Sequence, residues 1–209
     1  MNFRISINRA LVVACVISAT MLSLSVRAAE VAGVKLDETA QVANQELKLN
    51  GAGIRHKAFF KVYVAGIYLP AKKSTVPEVL AVPGAKRIHI VLLRDVSSED
   101  FGQAFMAGIR KNSDMSERAK IINQMLTFGQ LFASIPEIKK GDVLTTDWIP
   151  GTGTLCMLNG KKIADVIPDI AFYNALLKIW LGHSPADEKL KKAMLGEKEE
   201  APLPRATNY

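Results

Sequence analysis

The stretch from Leu49 to Leu69, LNGAGIRHKAFFKVYVAGIYL, constrains the fold of this chain more than any other. It opens with Asn50, Gly51 and Gly53, which read as a tight turn, and passes through a basic trio, Arg55, His56 and Lys57. It ends in a long run of aromatic and β-branched residues, and from Ala58 to Leu69 that run predicts a β-strand. Side chains alternate along a strand, so Phe59, Lys61, Tyr63, Ala65 and Ile67 share one face and Phe60, Val62, Val64, Gly66 and Tyr68 the other. The second face is apolar throughout, as a core face should be. The first sets Lys61 and Tyr63 among apolar neighbours. Apolar residues on both faces imply a central strand covered on both sides, or covered on one side and lining a cleft on the other. An apolar wall with a cation at one end is what a site for an amphipathic anion needs.

The chain divides into three parts. Residues 1–28 read as a secretory signal peptide: Arg4 and Arg9 are positive, Ala10 to Leu24 is apolar and uncharged, and cleavage is expected after Ala28 or Ala29. About 20 apolar residues are needed to cross a bilayer, and this run is shorter, so no stable membrane span is expected after cleavage. Residues 29–196 form the domain, and residues 197–209 a charged, Pro-containing tail. The expected location is the periplasm or the exterior of the cell.

Charge and cysteine content exclude several classes. The whole chain carries +7, and removing the leader's Arg4, Arg9 and Arg27 leaves +4. The bases are spread along the sequence, so nucleic acid is not an expected partner. Cys15 leaves with the leader and Cys156 stands alone, so no intramolecular disulfide is expected. Cys156, between Leu155 and Met157, reads as a small buried hydrophobe.

Val34-Lys35-Leu36 and Leu47-Lys48-Leu49 alternate and predict short strands, with polar connection from Asp37 to Gln45. Pro77 to Ala81 predicts a helical turn capped by Ser74 or Thr75. Arg87 to Leu93 predicts a second strong strand, with Ile88, Ile90 and Leu92 on one side. Ser97, with Asp100 three residues on, caps a helix carrying Phe101, Ala104, Phe105 and Ile109 at helical spacing. A helix opened by Ser116 and Glu117 carries an apolar stripe from Ile121 through Ile122, Met125, Leu126, Phe128 and Phe132 to Ile135. Three strands follow: Val143–Ile149, Thr154–Leu158 and Lys161–Val166, the last two joined at Asn159-Gly160. Asp169 caps a helix that Gly182 ends, and Ser184-Pro185 starts the last, Ala186 to Leu195. Strands joined by turns, with helices in runs, give an α+β fold: an antiparallel sheet with helices packed mainly on one face.

No metal site or cofactor is expected, because His56, His89 and His183 lack ligand spacing. Gly51-Ala52-Gly53 is no dinucleotide fingerprint: the third glycine is missing and a strand follows. Asp95, Glu99 and Asp100 cluster where they can cap a helix. Arg55 and Tyr63 remain as the candidate site. A guanidinium binds a carboxylate or phenolate bidentately without losing its charge, and a phenol can donate one further hydrogen bond. A surface ion pair for Arg55 and ordinary strand packing for Tyr63 explain the same residues.

Gly51-Ala52-Gly53-Ile54-Arg55, followed by Lys61-Val62-Tyr63-Val64-Ala65-Gly66-Ile67-Tyr68-Leu69, resembles the chalcone isomerase superfamily, most nearly its bacterial, secreted chalcone isomerase-like branch. The resemblance implies an open-faced β-sandwich, a large antiparallel sheet with helices on one face. It also implies roles. In plant chalcone isomerases a cleft arginine, matched by Arg55, attracts the substrate phenolate for ring closure. A threonine that supports a catalytic water falls at Tyr63. A tyrosine and an asparagine fall near Ser98 and Phe105, and a polar residue of the C-terminal helix falls near Ile179. The superfamily also contains non-catalytic fatty-acid-binding members, in which an arginine and a tyrosine hold the carboxylate, and Arg55 with Tyr63 is closer to that pair. The resemblance therefore implies binding of a small amphipathic anion, a fatty acid or a phenolic compound. The alternative it implies is an intramolecular lyase acting on a chalcone or another enone.

Overall fold

The computed structural model describes residues 28–133, 135 and 137–197. The expected signal peptide and C-terminal tail lie outside these residues, except for Ala28 and Glu197.

The Leu49–Leu69 stretch forms the centre of a long hairpin. Strand β4 (Gln45–Lys57) pairs antiparallel with β5 (Phe60–Leu69). Asn50 to Gly53 is therefore not a turn. The strand runs through it, with register shifts between Leu49 and Gly51 and between Arg55 and His56. The chain reverses at Ala58 and Phe59, where Ala58 takes a φ of 52°, so β5 starts at Phe60 and not at Ala58.

The glycines serve packing instead. Helix α6 (Glu188–Met194) lies across β4 at this point. A Cβ on Gly51 would overlap the Ala193 carbonyl oxygen, and one on Gly53 would sit 2.8 Å from the Ala193 Cβ. Asn50 locks the crossing: its Nδ2 donates to the carbonyls of Met194 (2.7 Å) and Lys73 (2.8 Å), and its Oδ1 accepts from the Lys73 amide (2.6 Å). Glycine signals close backbone approach as well as turns, and here it is the former.

Seven strands make one antiparallel sheet. The chain adds β3 (Thr39–Val42), β6 (Lys86–Leu92), β9 (Val143–Ile149), β10 (Gly153–Leu158) and β11 (Lys161–Lys162), in the order β11-β10-β9-β6-β5-β4-β3. Strand β3 occupies part of the segment predicted as polar connection. The predicted Lys161–Val166 strand shrinks to two residues and an isolated bridge between Thr154 and Ile167. A separate hairpin, β1 (Ala28–Val31) with β2 (Val34–Asp37), covers the second face, and β7 (Val96–Ser97) pairs with β8 (Glu137–Ile138).

The helices are α1 (Val76–Ala81), α2 (Ser98–Asn112), α3 (Met115–Lys120), α4 (Ile122–Ala133), α5 (Ile170–Leu181) and α6. They pack on one face of the sheet. Ser97 caps α2, accepting from the Asp100 amide at 3.1 Å, and Asp169 caps α5. Two caps differ from the sequence reading. Asp114 caps α3 with Glu117 completing the box, and Asp187 caps α6. Ser116 falls inside the first turn of α3, with Asp114 at the cap position before it, and Asp187 caps α6 three residues after Ser184. On α4, Met125, Phe128 and Phe132 are buried, while Ile122 and Leu126 stay exposed.

The two faces of β5 are both covered, but the assignment of the main core reverses. Tyr63, Ala65 and Ile67 meet Ile88, Ile90, Phe105 and Trp180 in the large helix-side core. Val64 and Tyr68 join Leu36, Val42 and Leu47 in a smaller core under the β1–β2 hairpin. Lys61 belongs to neither, because β5 continues past its last pairing with β6, Tyr63 to Leu92, and carries Lys61 into solvent.

Candidate functional site

Where β5 outruns β6, the hairpin overhangs a pocket of about 440 Å³. This lies within the range of small-molecule sites, roughly 300–1,000 Å³. The hairpin supplies Arg55, Lys57, Phe60 and Tyr63, and the loop after β6 supplies Arg94 and Asp95. The first turns of α2 supply Phe101, Ala104 and Phe105, and α5 supplies Ile179.

The structure brings the two sequence candidates together. Arg55 and Tyr63 are directly opposite in the β4–β5 register, and the guanidinium carbon lies 5.6 Å from the Tyr63 ring centroid. Such a contact contributes about 0.5–1 kcal/mol at a partly exposed site. Arg55 Nε is buried and has no hydrogen-bond partner among the described residues. No described carboxylate forms an ion pair with Arg55, because the acid beside the trio, Asp187, is already occupied. Its carboxylate accepts from the His56 amide (2.9 Å) and the Leu190 amide (3.0 Å). These bonds hold Asp187 below the usual carboxylate range although partial burial pushes the other way. The basic trio thus separates: Arg55 at the pocket wall, His56 on Asp187, Lys57 at the mouth.

Tyr63 is fully buried, and its hydroxyl accepts the indole N–H of Trp180 at 2.9 Å. A phenol has one proton to give, and among the described residues the Tyr63 proton has no acceptor. Burial pushes the phenol up to about 12, against the opposing charge of Arg55 and the Trp180 bond. The group therefore stays protonated and acts as a donor, not as a base. Behind it Phe101 meets the Tyr63 ring edge-on at 6.2 Å, and Phe105 meets Trp180 edge-on at 5.4 Å. One wall is thus a cation and an uncommitted O–H, Phe101, Ala104, Phe105 and Ile179 give an apolar side, and Lys57, Arg94, Asp95, Ser97 and Asp100 add polar groups to the lining.

Sequence reasoning missed three parts of this site. Trp180 falls in the helix expected between Asp169 and Gly182, and nothing local shows that it reaches a strand 117 residues away. Phe101 and Phe105 read as a core stripe, which they are, except where that stripe passes under the hairpin tip. Arg94 carried no signal. The positions matched by resemblance fare differently: Phe105 and Ile179 line the pocket, and Ser98 lies beside the lining residue Ser97 with its own hydroxyl buried and unpartnered among the described residues. Cys156 is buried, and burial raises its thiol to about 12. No described cluster of three or more His, Cys, Asp or Glu side chains could hold a metal ion, and no described helix is long and apolar enough to cross a membrane.

Residues 28–196 match the sequence profile of a family described as chalcone isomerase-like. Among solved structures the chain is similar to a fatty-acid binding protein of Arabidopsis thaliana. The TM-score is 0.62 and the identity 14%, over 78% of this chain and 92% of that one. At that identity the likeness is one of fold. No curated protein sequence matches the chain.

Proposed function

This chain belongs to the chalcone isomerase-like family, and from that premise we propose that it is a non-catalytic binder of an amphipathic carboxylate such as a fatty acid. One observation carries the reading: the buried, unpartnered Nε of Arg55 and the uncommitted Tyr63 proton stand together at the wall of an apolar pocket. A buried polar group without a partner costs free energy, and a ligand carboxylate removes that cost. The head group accepts from the Arg55 guanidinium and from the Tyr63 hydroxyl. The tail lies along Phe101, Ala104 and Phe105, gaining about 0.8 kcal/mol for each methylene removed from water. The fatty-acid binding of the similar Arabidopsis protein agrees with this choice of ligand.

Ring closure of a chalcone asks for more than an anion anchor. It needs positioned donors and a water. Where the resemblance places such groups, the pocket has Phe105 and Ile179, which offer neither. Tyr63, held protonated up to about 12, is no base at neutral pH. A chalcone offered to the protein should keep its long-wavelength absorbance, and bleaching that depends on Arg55 would reverse the ranking.

We also place the binding outside the cytoplasm, a reading supported by the leader-like residues 1–28. Native mass spectrometry after gentle purification tests the main reading. The expected spectrum shows a lipid-sized adduct, or one formed on adding a long-chain fatty acid. A protein that carries none and takes up none defeats it.

A further inference from the structure

The tip of the β4–β5 hairpin has a composition that a ligand pocket alone does not explain. Phe59 is 97% exposed and Phe60 is 57% exposed. They stand at the reversal between the last pair of the hairpin, Lys57 and Phe60, with only Ala58 beside them. An exposed phenylalanine forgoes its burial free energy and pays no structural role here, since Phe59 belongs to neither core. Cations surround the two rings. Lys57 and Lys61 flank them and are exposed, and the Arg94 guanidinium carbon lies 4.6 Å from the Phe60 ring centroid. Two acids line the mouth beside the cations Arg55, Lys57 and Arg94: Asp95, which accepts from the Lys140 amide at 2.7 Å, and the exposed Asp100 in the first turn of α2. No acid occurs in the tip itself, residues 55 to 69.

We propose that this tip docks on an anionic lipid surface. Phe59 enters the headgroup–acyl boundary, and Lys57, Lys61 and Arg94 meet the headgroups. Two rings on a narrow hairpin are a poor protein interface, which needs roughly 800 Å² from each partner. They suit a bilayer, where a few apolar anchors and a cluster of cations suffice. The placement also serves the pocket. Lys57, Phe60 and Arg94 line its mouth, so docking turns the opening toward the lipid. That delivery rests on the proposed function; the docking itself does not.

The test is co-sedimentation of the protein recovered after leader cleavage with vesicles of phosphatidylcholine, with and without phosphatidylglycerol. The protein should partition onto the anionic vesicles and be released by salt. Phe59→Ser should weaken partitioning about tenfold or more, and Lys61→Ser by about fivefold. Neither residue lines the pocket, so uptake of a soluble fatty acid should be unchanged in both variants. Leu126→Ser, on the exposed apolar part of α4, should partition like the wild type. Wild-type protein left in the supernatant overturns the proposal, as does binding that falls with Leu126→Ser but not with Phe59→Ser. Vesicle binding without any fatty-acid uptake upholds the docking and defeats only the ligand reading.

Discussion

The indole of Trp180 donates to the hydroxyl of Tyr63 at 2.9 Å, and this bond fixes which way the phenol can act. With a lone pair taken, its proton remains for the pocket. Tyr63→Phe strands a buried indole N–H. Urea unfolding should show a loss of about 1–3 kcal/mol, the cost of an unsatisfied buried donor. Fatty-acid affinity should also fall, by about 1.5–3 kcal/mol, the worth of a hydrogen bond to a charged carboxylate. Trp180→Phe should also destabilise the fold, and the double variant should cost less than the two singles together. An additive cycle would mean that the bond carries no energy.

Arg55 should behave differently, mattering to the ligand and little to the fold. Its Nε is buried without a partner, and its contact with the Tyr63 ring is worth no more than about 1 kcal/mol. Arg55→Ala should therefore leave urea stability of the ligand-free protein within about 1 kcal/mol of wild type. Affinity for a fatty acid, followed by isothermal titration calorimetry, should fall by about 1.5–3 kcal/mol, the worth of hydrogen bonds to a charged group. A large stability loss with unchanged binding would make Arg55 a structural residue.

Much of this was legible in the sequence because it is local. The cap at Ser97 and the Asn159-Gly160 reversal each depend on a few adjacent residues and stand where their pattern put them, and the strand expected from Ala58 to Leu69 holds from Phe60 onward. Arg55 and Tyr63 could be singled out because both lie in one stretch. What escaped was set at long range. The role of Gly51 and Gly53 depends on α6, which arrives some 140 residues later. The face of β5 that meets the helices packs on partners from α2, α4 and α5, among them Trp180, all distant in sequence. The pocket exists because β6 stops pairing at Leu92 while β5 continues, a difference in strand length that no motif marks.

The crossing of α6 over β4 gives a test of that long-range reading. Gly51→Ala sets a methyl against the Ala193 carbonyl oxygen, and Gly53→Ala sets one against the Ala193 side chain. Overpacking of this kind costs about 1–3 kcal/mol, and Gly51, which meets backbone, should lie at the upper end. Gly129 in α4 has open space at its Cβ position, so Gly129→Ala should stabilise by about 0.5–1 kcal/mol. Equal effects at Gly51 and Gly129, measured by urea unfolding, would contradict the close approach.

The leader reading is tested by mass. In a secreting host the intact mature chain should begin at Ala29 or Glu30, and replacing Arg4 and Arg9 with Glu should leave the precursor uncleaved. A wild-type chain recovered from the cytoplasm with residues 1–28 intact would remove the case for an extracytoplasmic role.

Stability should fall on mild acidification through His89. Its ring lies between β5 and β9, opposite Gly66 and Thr145, and beside Tyr68. Burial lowers it from the ordinary 6.5 to about 4; the Arg87 charge adds to this and Asp37 opposes it. The folded state therefore holds His89 neutral where the unfolded chain would take a proton. The stabilisation is complete above pH 6.5, shrinks as the pH falls, and is gone near pH 4. Across that window the loss should be about 3 kcal/mol, from the tenfold equivalence of each pH step. Urea midpoints at pH 7 and at pH 4.5 measure most of it. His89→Gln does not titrate, so its stability should change much less between the two. A wild-type profile as flat as that of His89→Gln would show that the imidazole is charged, or solvated, in the folded protein.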